Sequence, residues 1–193
     1  MNKTNILTSF PLHPIGIGTF MMGGDFDLET RIDSPVYDND KECIEAIRFS
    51  IDNGQNHIDT AIKYGNGHTD EIVSKAISYY DRSKLFIADK IPKTHLSKDL
   101  LEPTLFNILK LLNTDYLDLL YVHNMNSDTP ISEYMPIMDS LVDKKYIRGI
   151  GLSNLTLDHL KEAIKHCSSP IESIQVQYTI LDRNQLDPSL SKF

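Results

Sequence analysis

The sequence predicts an α/β fold in which parallel strands alternate with amphipathic helices. Short apolar runs recur along the chain, and polar loops and helical patterns separate them. The centres of the last five runs lie near residues 58, 88, 120, 150 and 175. Intervals of about thirty residues or slightly fewer match the length of one strand-helix unit. Apolar strands joined by helices imply a parallel sheet that is covered by helices.

The first unit is the least regular. Its strand is predicted at residues 15–20, where two glycines interrupt a short apolar run, and the polar residues 25–39 are predicted to form a loop. A helix with three isoleucines on one face begins near Asp40. It ends at Asn53 and Gly54, a pair that suits a left-handed cap.

The following units repeat this alternation more clearly. The second strand is predicted at residues 56–61 and the third at residues 85–90, with a helix between them that Thr69 can cap. The next helix is predicted over residues 100–112, and Pro103 lies in its first turn, where a missing N–H costs least. The remaining strands are predicted at residues 117–122, 147–152 and 171–176.

Two architectures fit this order: an open doubly wound sheet and a strand-helix barrel. The turn at residues 16–20 lacks the third glycine of a dinucleotide-binding turn, and no helix starts directly after it, which disfavours the open sheet. We therefore predict a (β/α)8 TIM-barrel type of fold. Only about six of its eight units are recognisable, so residues 1–193 are interpreted as one barrel domain, incomplete at its C-terminal end. Open edges on the first and sixth strands would make it marginally stable.

Composition excludes several classes of protein. With 19 basic and 27 acidic residues and a net charge of −8, the chain is poorly suited to binding nucleic acid. Its two cysteines, Cys43 and Cys167, are far apart and indicate neither a disulfide framework nor a zinc site. No apolar run approaches the ~18 residues of a membrane span, and the N-terminus lacks the apolar core of a signal peptide. We expect a cytoplasmic protein without a membrane segment. The sequence does not indicate an oligomeric state.

Four polar residues lie at or just past the ends of three successive apolar runs: Asp59, Tyr64, Lys90 and His123. Side chains at the carboxyl ends of parallel strands meet at one edge of a sheet, so together these four predict a proton-donating site. Singly, each also has a structural interpretation, such as a turn cap for Asp59 or a solvated strand end for Lys90. A metal-dependent hydrolase with His57, Asp59 and His123 as ligands is a weaker alternative.

Six motifs in this order and spacing resemble those of the aldo-keto reductases, over nearly the whole chain from residue 15 to about residue 183. One such motif would be weak, but the ordered set is specific. The motifs are Gly16-Ile17-Gly18-Thr19-Phe20, His57-Ile58-Asp59-Thr60-Ala61 with Tyr64-Gly65, Ala88-Asp89-Lys90, Asp115-Tyr116-Leu117-Asp118-Leu119 with Val122-His123, Arg148-Gly149-Ile150-Gly151-Leu152-Ser153-Asn154 and Gln175-Val176-Gln177-Tyr178.

The resemblance implies an NAD(P)H-dependent oxidoreductase that reduces an aldehyde or ketone, a small-molecule carbonyl substrate, to an alcohol. Tyr64 would protonate the carbonyl oxygen, although a phenol with a pKa of about 10 is a reluctant donor. Lys90 would lower that pKa, and Asp59 would keep Lys90 charged and oriented. His123 would hydrogen-bond the substrate oxygen and polarise it.

The resemblance also implies the cofactor. NADP(H) is the usual choice of the family, and NAD(H) is not excluded. In the family, the last two units normally hold the cofactor's phosphates and stack on its nicotinamide. Neither unit is recognisable here, so we expect a gene fragment with little or no turnover, and a non-catalytic cofactor-sensing or partner-binding subunit is the alternative. The implied cofactor-binding residues are Gly18, Thr19, Asp59, Ser153, Asn154 and Gln175.

Overall fold

A computed structural model describes residues 6–30, 32–181 and 190. Its strands are, in chain order, β1 (Ile17–Gly18), β2 (Gly24–Phe26), β3 (Asp33–Pro35), β4 (His57–Asp59), β5 (Phe86–Ile91), β6 (Leu117–Val122), β7 (Ile147–Ser153) and β8 (Ile171–Gln175). Its α-helices are α1 (Ile6–Ser9), α2 (Asp40–Asp52), α3 (His68–Ile77), α4 (Leu101–Leu112), α5 (Ile131–Asp143) and α6 (Leu157–Lys165).

Six of the strands form one parallel sheet in the order β1-β4-β5-β6-β7-β8. The sheet is curled, as in part of a strand-helix barrel, which confirms the predicted fold class. Within the described residues, β1 and β8 each have one neighbouring strand and form the edges of the sheet. The first predicted strand pairs over two residues only.

The segment predicted as a loop after the first strand contains a β-hairpin, and that prediction was wrong. Strands β2 and β3 pair antiparallel, and the hairpin packs on the 3-10 turn Tyr64–Gly67. The packing is close at Gly24, where an added Cβ would lie 2.4 Å from Asp33 Oδ1 and 3.0 Å from Gly65 N. The hairpin therefore depends on a contact between residues that are distant in sequence, and a local sequence pattern does not predict such a contact.

The start of α3 also differs from the prediction. Gly67, with φ of 93°, occupies the N-cap position, and Thr69 lies within the first turn. The Thr69 hydroxyl does not cap the helix but donates to the carbonyl of Met22 at 2.7 Å. It thereby connects α3 to the segment that precedes the hairpin.

The sheet has two unequal apolar faces. Its outer face packs against the helices, and every residue of β5 and β6 is buried. A smaller cluster on the inner face consists of Phe86, Ala88, Leu119 and Tyr121. The N-terminal segment, residues 6–12, covers this cluster, with Ile6, Leu7, Phe10 and Leu12 in contact. In the described part of the chain, no helix combines the length and apolar character needed to cross a membrane.

Candidate functional site

The carboxyl ends of five strands bring the predicted polar side chains to one edge of the sheet. Asp59, Ser153 and Gln175 are the last residues of β4, β7 and β8, respectively. Lys90 is the penultimate residue of β5, and His123 directly follows β6. His123 extends the parallel ladder, since its N–H donates to the carbonyl of Ile91 at 2.9 Å.

A cleft of about 930 Å³ opens above this edge. Tyr64, His123 and Asn154 line it, whereas Asp59 and Lys90 are not among its lining residues. Other parts of its wall are aromatic, basic or polar. They include Phe20, Phe26, Lys63, Lys93, His95, Asn66, Asn107, Asn124 and Gln177. The hairpin contributes to the same wall through Phe26 and Asp33.

Lys90 occupies the centre of the polar cluster. Its side chain is buried, and Nζ lies 2.9 Å from Asp59 Oδ1. Nζ also donates to the Thr60 carbonyl at 2.8 Å and to the Tyr64 hydroxyl at 3.5 Å. Three oxygen atoms thus surround the ammonium, one as an ion-pair partner and two as hydrogen-bond acceptors. The charge of Lys90 is thus compensated by Asp59, and one donor is directed at the phenol of Tyr64.

Tyr64 is placed by a tight turn directly after β4. The next residue, Gly65, has φ of 51°, and an added Cβ would lie 2.6 Å from the Gly23 carbonyl oxygen. Burial raises the pKa of Tyr64 above its ordinary value, and the nearby Lys90 opposes this rise. The sequence led us to expect only the effect of Lys90, which lowers the pKa. In the structure, burial has a larger effect and raises the pKa. The phenol is therefore protonated at neutral pH and holds a proton to donate.

His123 faces Tyr64 across the cleft, with their rings edge to face and their centroids 6.1 Å apart. Burial, together with the positive charge of Lys90, lowers the pKa of His123 to about 4. The imidazole is therefore neutral at pH 7. A neutral imidazole carries one N–H donor and one acceptor nitrogen, which suits a hydrogen bond to a carbonyl oxygen.

The depressed pKa of His123 predicts an acid-sensitive stability. In the unfolded chain a histidine has a pKa of about 6.5, so between pH 6.5 and about 4 the unfolded state binds the proton more tightly. The free energy of unfolding should therefore fall as the pH falls through this window. We expect His123→Gln to reduce this fall, measured by urea unfolding at a series of pH values. An NMR titration in which the His123 ring has its midpoint near pH 6.5 would contradict the prediction.

The residues predicted to hold a nicotinamide lie beside this cluster. The Asn154 amide donates to the His123 carbonyl at 2.9 Å and to Ser153 Oγ at 3.1 Å. The Gln175 amide donates to Asp59 Oδ2 at 3.3 Å. Both amide nitrogens are thus used within the site. Among the described residues, no donor is bonded to Asn154 Oδ1 or Gln175 Oε1, so both amide oxygens remain available as acceptors.

The two residues predicted from the first strand are placed differently from each other. Thr19 is fully buried, and both its N–H and its hydroxyl donate to the Asp59 carbonyl at 3.1 Å. It therefore supports the end of β4 from within the protein. Gly18 is exposed, and a Cβ added there would meet no atom within 4 Å.

Sequence reasoning missed two buried carboxyl groups next to the site, Asp70 on α3 and Asp89 on β5. Both are fully buried. A signal for Asp89 was present, because a carboxyl group in the middle of an otherwise apolar buried strand requires a partner. Nothing in the sequence shows that Asp70, on the following helix, is that partner.

The alternative metal site is not assembled. His57 packs edge-on against Phe86, with ring centroids 5.3 Å apart. Within the residues that the structure describes, no group of three His, Cys, Asp or Glu side chains could hold a metal ion.

Comparisons with known proteins identify the family of the chain. The model of the aldo/keto reductase family matches residues 14–190. The chain is 34% identical to aldo-keto reductase YhdN of Bacillus subtilis (strain 168), over 95% of this chain and 55% of that protein. It is 27% identical to the NADH-specific methylglyoxal reductase of Escherichia coli (strain K12), over 94% of this chain and 60% of that protein.

A solved structure is similar as well. The aldo/keto reductase from Klebsiella pneumoniae in complex with NADP and acetate superposes with a TM-score of 0.77 and 29% identity, over 94% of this chain and 60% of that one. The chain thus spans little more than half the length of these relatives. The family model nevertheless covers most of the chain, and the resemblance predicted from the six motifs is confirmed. The chain belongs to the aldo/keto reductase family, whose members are oxidoreductases that act on carbonyl groups.

Proposed function

We propose that this chain carries the proton-donating site of an NAD(P)H-dependent reductase, which converts an aldehyde or ketone to an alcohol. The observation that carries the proposal is the position of Lys90 Nζ, between Asp59 Oδ1 at 2.9 Å and the Tyr64 hydroxyl at 3.5 Å. An ammonium paired on one side and directed at a phenol on the other is the arrangement that a tyrosine acid requires.

The residues have separate parts in the proposed reaction. A bound nicotinamide would supply the hydride to the carbonyl carbon. Tyr64 donates its phenolic proton to the carbonyl oxygen, so that a C–H and an O–H bond form on the substrate while its C=O π bond, the phenol O–H bond and the C–H bond that would carry the hydride break. Lys90 stabilises the resulting phenolate, and Asp59 keeps Lys90 in place. His123, as a neutral imidazole, donates a hydrogen bond to the same oxygen as charge develops there.

The residues beside Tyr64 fit the carboxamide of a nicotinamide. The free amide oxygens of Asn154 and Gln175 can accept its two N–H groups, and the Ser153 hydroxyl can donate to its carbonyl. Two of the three relatives named above support different forms of the cofactor. One was solved with NADP and the other is NADH-specific, so we propose NADP(H) and keep NAD(H) as the second possibility.

The experiment measures the oxidation of NADPH and of NADH in the presence of small aldehydes and ketones, at protein concentrations that allow slow turnover to be detected. We expect slow oxidation that requires the carbonyl compound. Tyr64→Phe should lower the rate by a factor on the order of 10² to 10⁴, because it removes only the acidic hydroxyl. Tyr79→Phe, which changes an exposed tyrosine, should leave the rate unchanged.

Two outcomes would revise the proposal. Cofactor binding without oxidation by any carbonyl compound tested would contradict it and favour a cofactor-sensing subunit. Oxidation that survives Tyr64→Phe would assign the proton transfer to another group. Fast turnover that Tyr64→Phe abolishes would support the site while contradicting the expectation of little turnover by these 193 residues.

A further inference from the structure

Behind the candidate site, the two faces of β5 carry opposite charges. Lys90 faces the cleft side, and Asp89, its neighbour in sequence, faces the helices. On that side Asp89 and Asp70 of α3 both bind the segment of residues 60–62, and the negative charge of Asp89 lies near enough to raise the pKa of Asp70. Both are fully buried. Two neighbouring carboxyl groups that are both shielded from water cannot both remain ionised, so the pair holds a proton.

The remaining contacts of the two carboxyl groups suggest which one carries the proton. Asp89 Oδ1 accepts hydrogen bonds from the backbone N–H groups of Ile62, at 2.9 Å, and Lys90. Asp70 Oδ1 accepts one, from the Thr60 hydroxyl at 2.8 Å. Oδ2 of each residue is buried and has no hydrogen-bond partner in the described part of the protein. Two backbone donors favour the ionised form of Asp89, so Asp70 carries the proton.

Both carboxyl groups hold the segment that leads from β4 to Tyr64. Asp70 binds the side chain of Thr60, and Asp89 binds the backbone of Ile62, two residues before the phenol. From the opposite side, Lys90 Nζ donates to the Thr60 carbonyl. The segment of residues 60–64 is thus fixed between Lys90 and the two carboxyl groups.

We propose that Asp70 and Asp89 form an acid pair that shares one proton and positions the residue 60–64 segment, and with it the hydroxyl of Tyr64, against Lys90. The part that concerns Tyr64 as a proton donor rests on the proposed function, whereas the shared proton does not. The two residues touch neither the cleft nor the reacting atoms, so they act as positioning residues.

The ionisation of the pair agrees with its geometry. Burial raises the pKa of Asp89 to about 7 and that of Asp70 well above its ordinary value. The charged groups that act on the pair are Lys90 on β5, which lowers both pKa values, and Asp59 at the end of β4, which raises that of Asp89. In an unfolded chain both carboxyl groups ionise near pH 4. Above that pH the folded state retains a proton that the unfolded state has lost, so the stability from this pair falls as the pH rises toward 7.

The first experiment tests the shared proton without measuring activity. In Asp70→Asn the amide can replace the carboxylic acid as donor to Asp89 and as acceptor from Thr60. We expect this variant to lose less stability than the unchanged protein between pH 5 and pH 8, as measured by urea unfolding. In the unchanged protein, ¹³C-labelled aspartate should show at least one carboxyl group that remains protonated at pH 6. Two buried carboxyl groups that both titrate near pH 4 would overturn the proposal.

The second experiment tests positioning through Tyr64. Asp70→Ala removes the acceptor for Thr60, and the ¹³Cζ resonance and the pKa of Tyr64 should both shift, with Asp70→Asn restoring them. Turnover should fall by roughly tenfold to 10²-fold in Asp70→Ala, since a displacement of about 1 Å can have such an effect. Leu105→Ala, in the buried face of α4, should destabilise the protein without moving either Tyr64 signal.

The two experiments separate the inference from the proposed function. If the protein never oxidises the cofactor but Tyr64 responds to Asp70→Ala and recovers in Asp70→Asn, the acid pair stands and the reductase proposal fails. If Asp70→Ala lowers stability as Leu105→Ala does and leaves the Tyr64 resonance and pKa unchanged, the pair has only a structural role and the inference is overturned.

Discussion

Lys90→Met is expected to lower turnover at least as much as Tyr64→Phe, by a factor on the order of 10² to 10⁴. Methionine fills a similar volume but removes the ammonium that stabilises the Tyr64 phenolate. It also leaves the Asp59 carboxylate facing Tyr64 without its partner, and that negative charge raises the pKa of the phenol. The segment before Tyr64 loses the donor to the Thr60 carbonyl as well. The substitution thus impairs both the acidity of the Tyr64 phenol and the position of its hydroxyl.

The measurement combines cofactor oxidation with an NMR titration of ¹³Cζ-labelled tyrosine. The pKa of Tyr64 should rise in Lys90→Met, a result that does not require turnover. Lys41→Met is the matched control, because Lys41 is exposed on α2 and, among the described residues, forms an ion pair with Glu45 one helical turn away. An unchanged Tyr64 pKa in Lys90→Met would show that the lysine does not act on the phenol.

Asp118→Ala is expected to reduce the free energy of unfolding by about 3 to 5 kcal/mol. The carboxylate of Asp118 on β6 is buried and binds Arg82 at 2.8 Å and Arg148 at 2.9 Å. It also accepts a hydrogen bond from the N–H of Ile87 on β5 at 3.0 Å. Removal leaves a buried N–H without an acceptor and two adjacent guanidinium groups without their shared counter-ion. Both guanidinium groups lie against the ring of Tyr116, which holds them near each other.

Urea unfolding measures this effect, with two controls. Asp118→Asn keeps an oxygen acceptor and should cost less than Asp118→Ala, which separates the lost hydrogen bonds from the lost charge. Asp99→Ala changes an exposed carboxylate and should leave the unfolding free energy nearly unchanged. A loss below 1 kcal/mol in Asp118→Ala would mean that solvent replaces the carboxylate around both arginines.

The central sheet was predictable because its buried strands correspond to continuous apolar runs in the sequence. Strands β5 and β6 lie within one residue of their predicted positions, since continuous burial on both faces leaves a strong local signal. The hairpin β2–β3 was not predictable, because its two three-residue strands contain no apolar run and it is stabilised by packing on the turn Tyr64–Gly67. Local propensity does not report contacts of that kind.

The candidate site also has a part that was predictable from the sequence and a part that was not. Asp59, Lys90 and His123 were predictable, since a polar residue at the carboxyl end of a buried strand is conspicuous. The geometry that joins them to Tyr64 and the burial that raises its pKa depend on the folded structure. Asp70 was not predictable, because a carboxyl group in the first turn of a helix usually has a simpler explanation in the helix dipole.

The N-terminal segment over the inner face of the sheet has a consequence for solubility. Three hydrogen bonds hold it in place. Ile6 N donates to Glu172, and Asn56 binds both the Pro11 carbonyl and the N–H of His13. Displacement of residues 6–12 would open to water the apolar cluster on β5 and β6. Exposed apolar strands are a common origin of aggregation. We therefore expect this short segment to limit self-association, a property separate from the chemistry at the carboxyl ends of the strands.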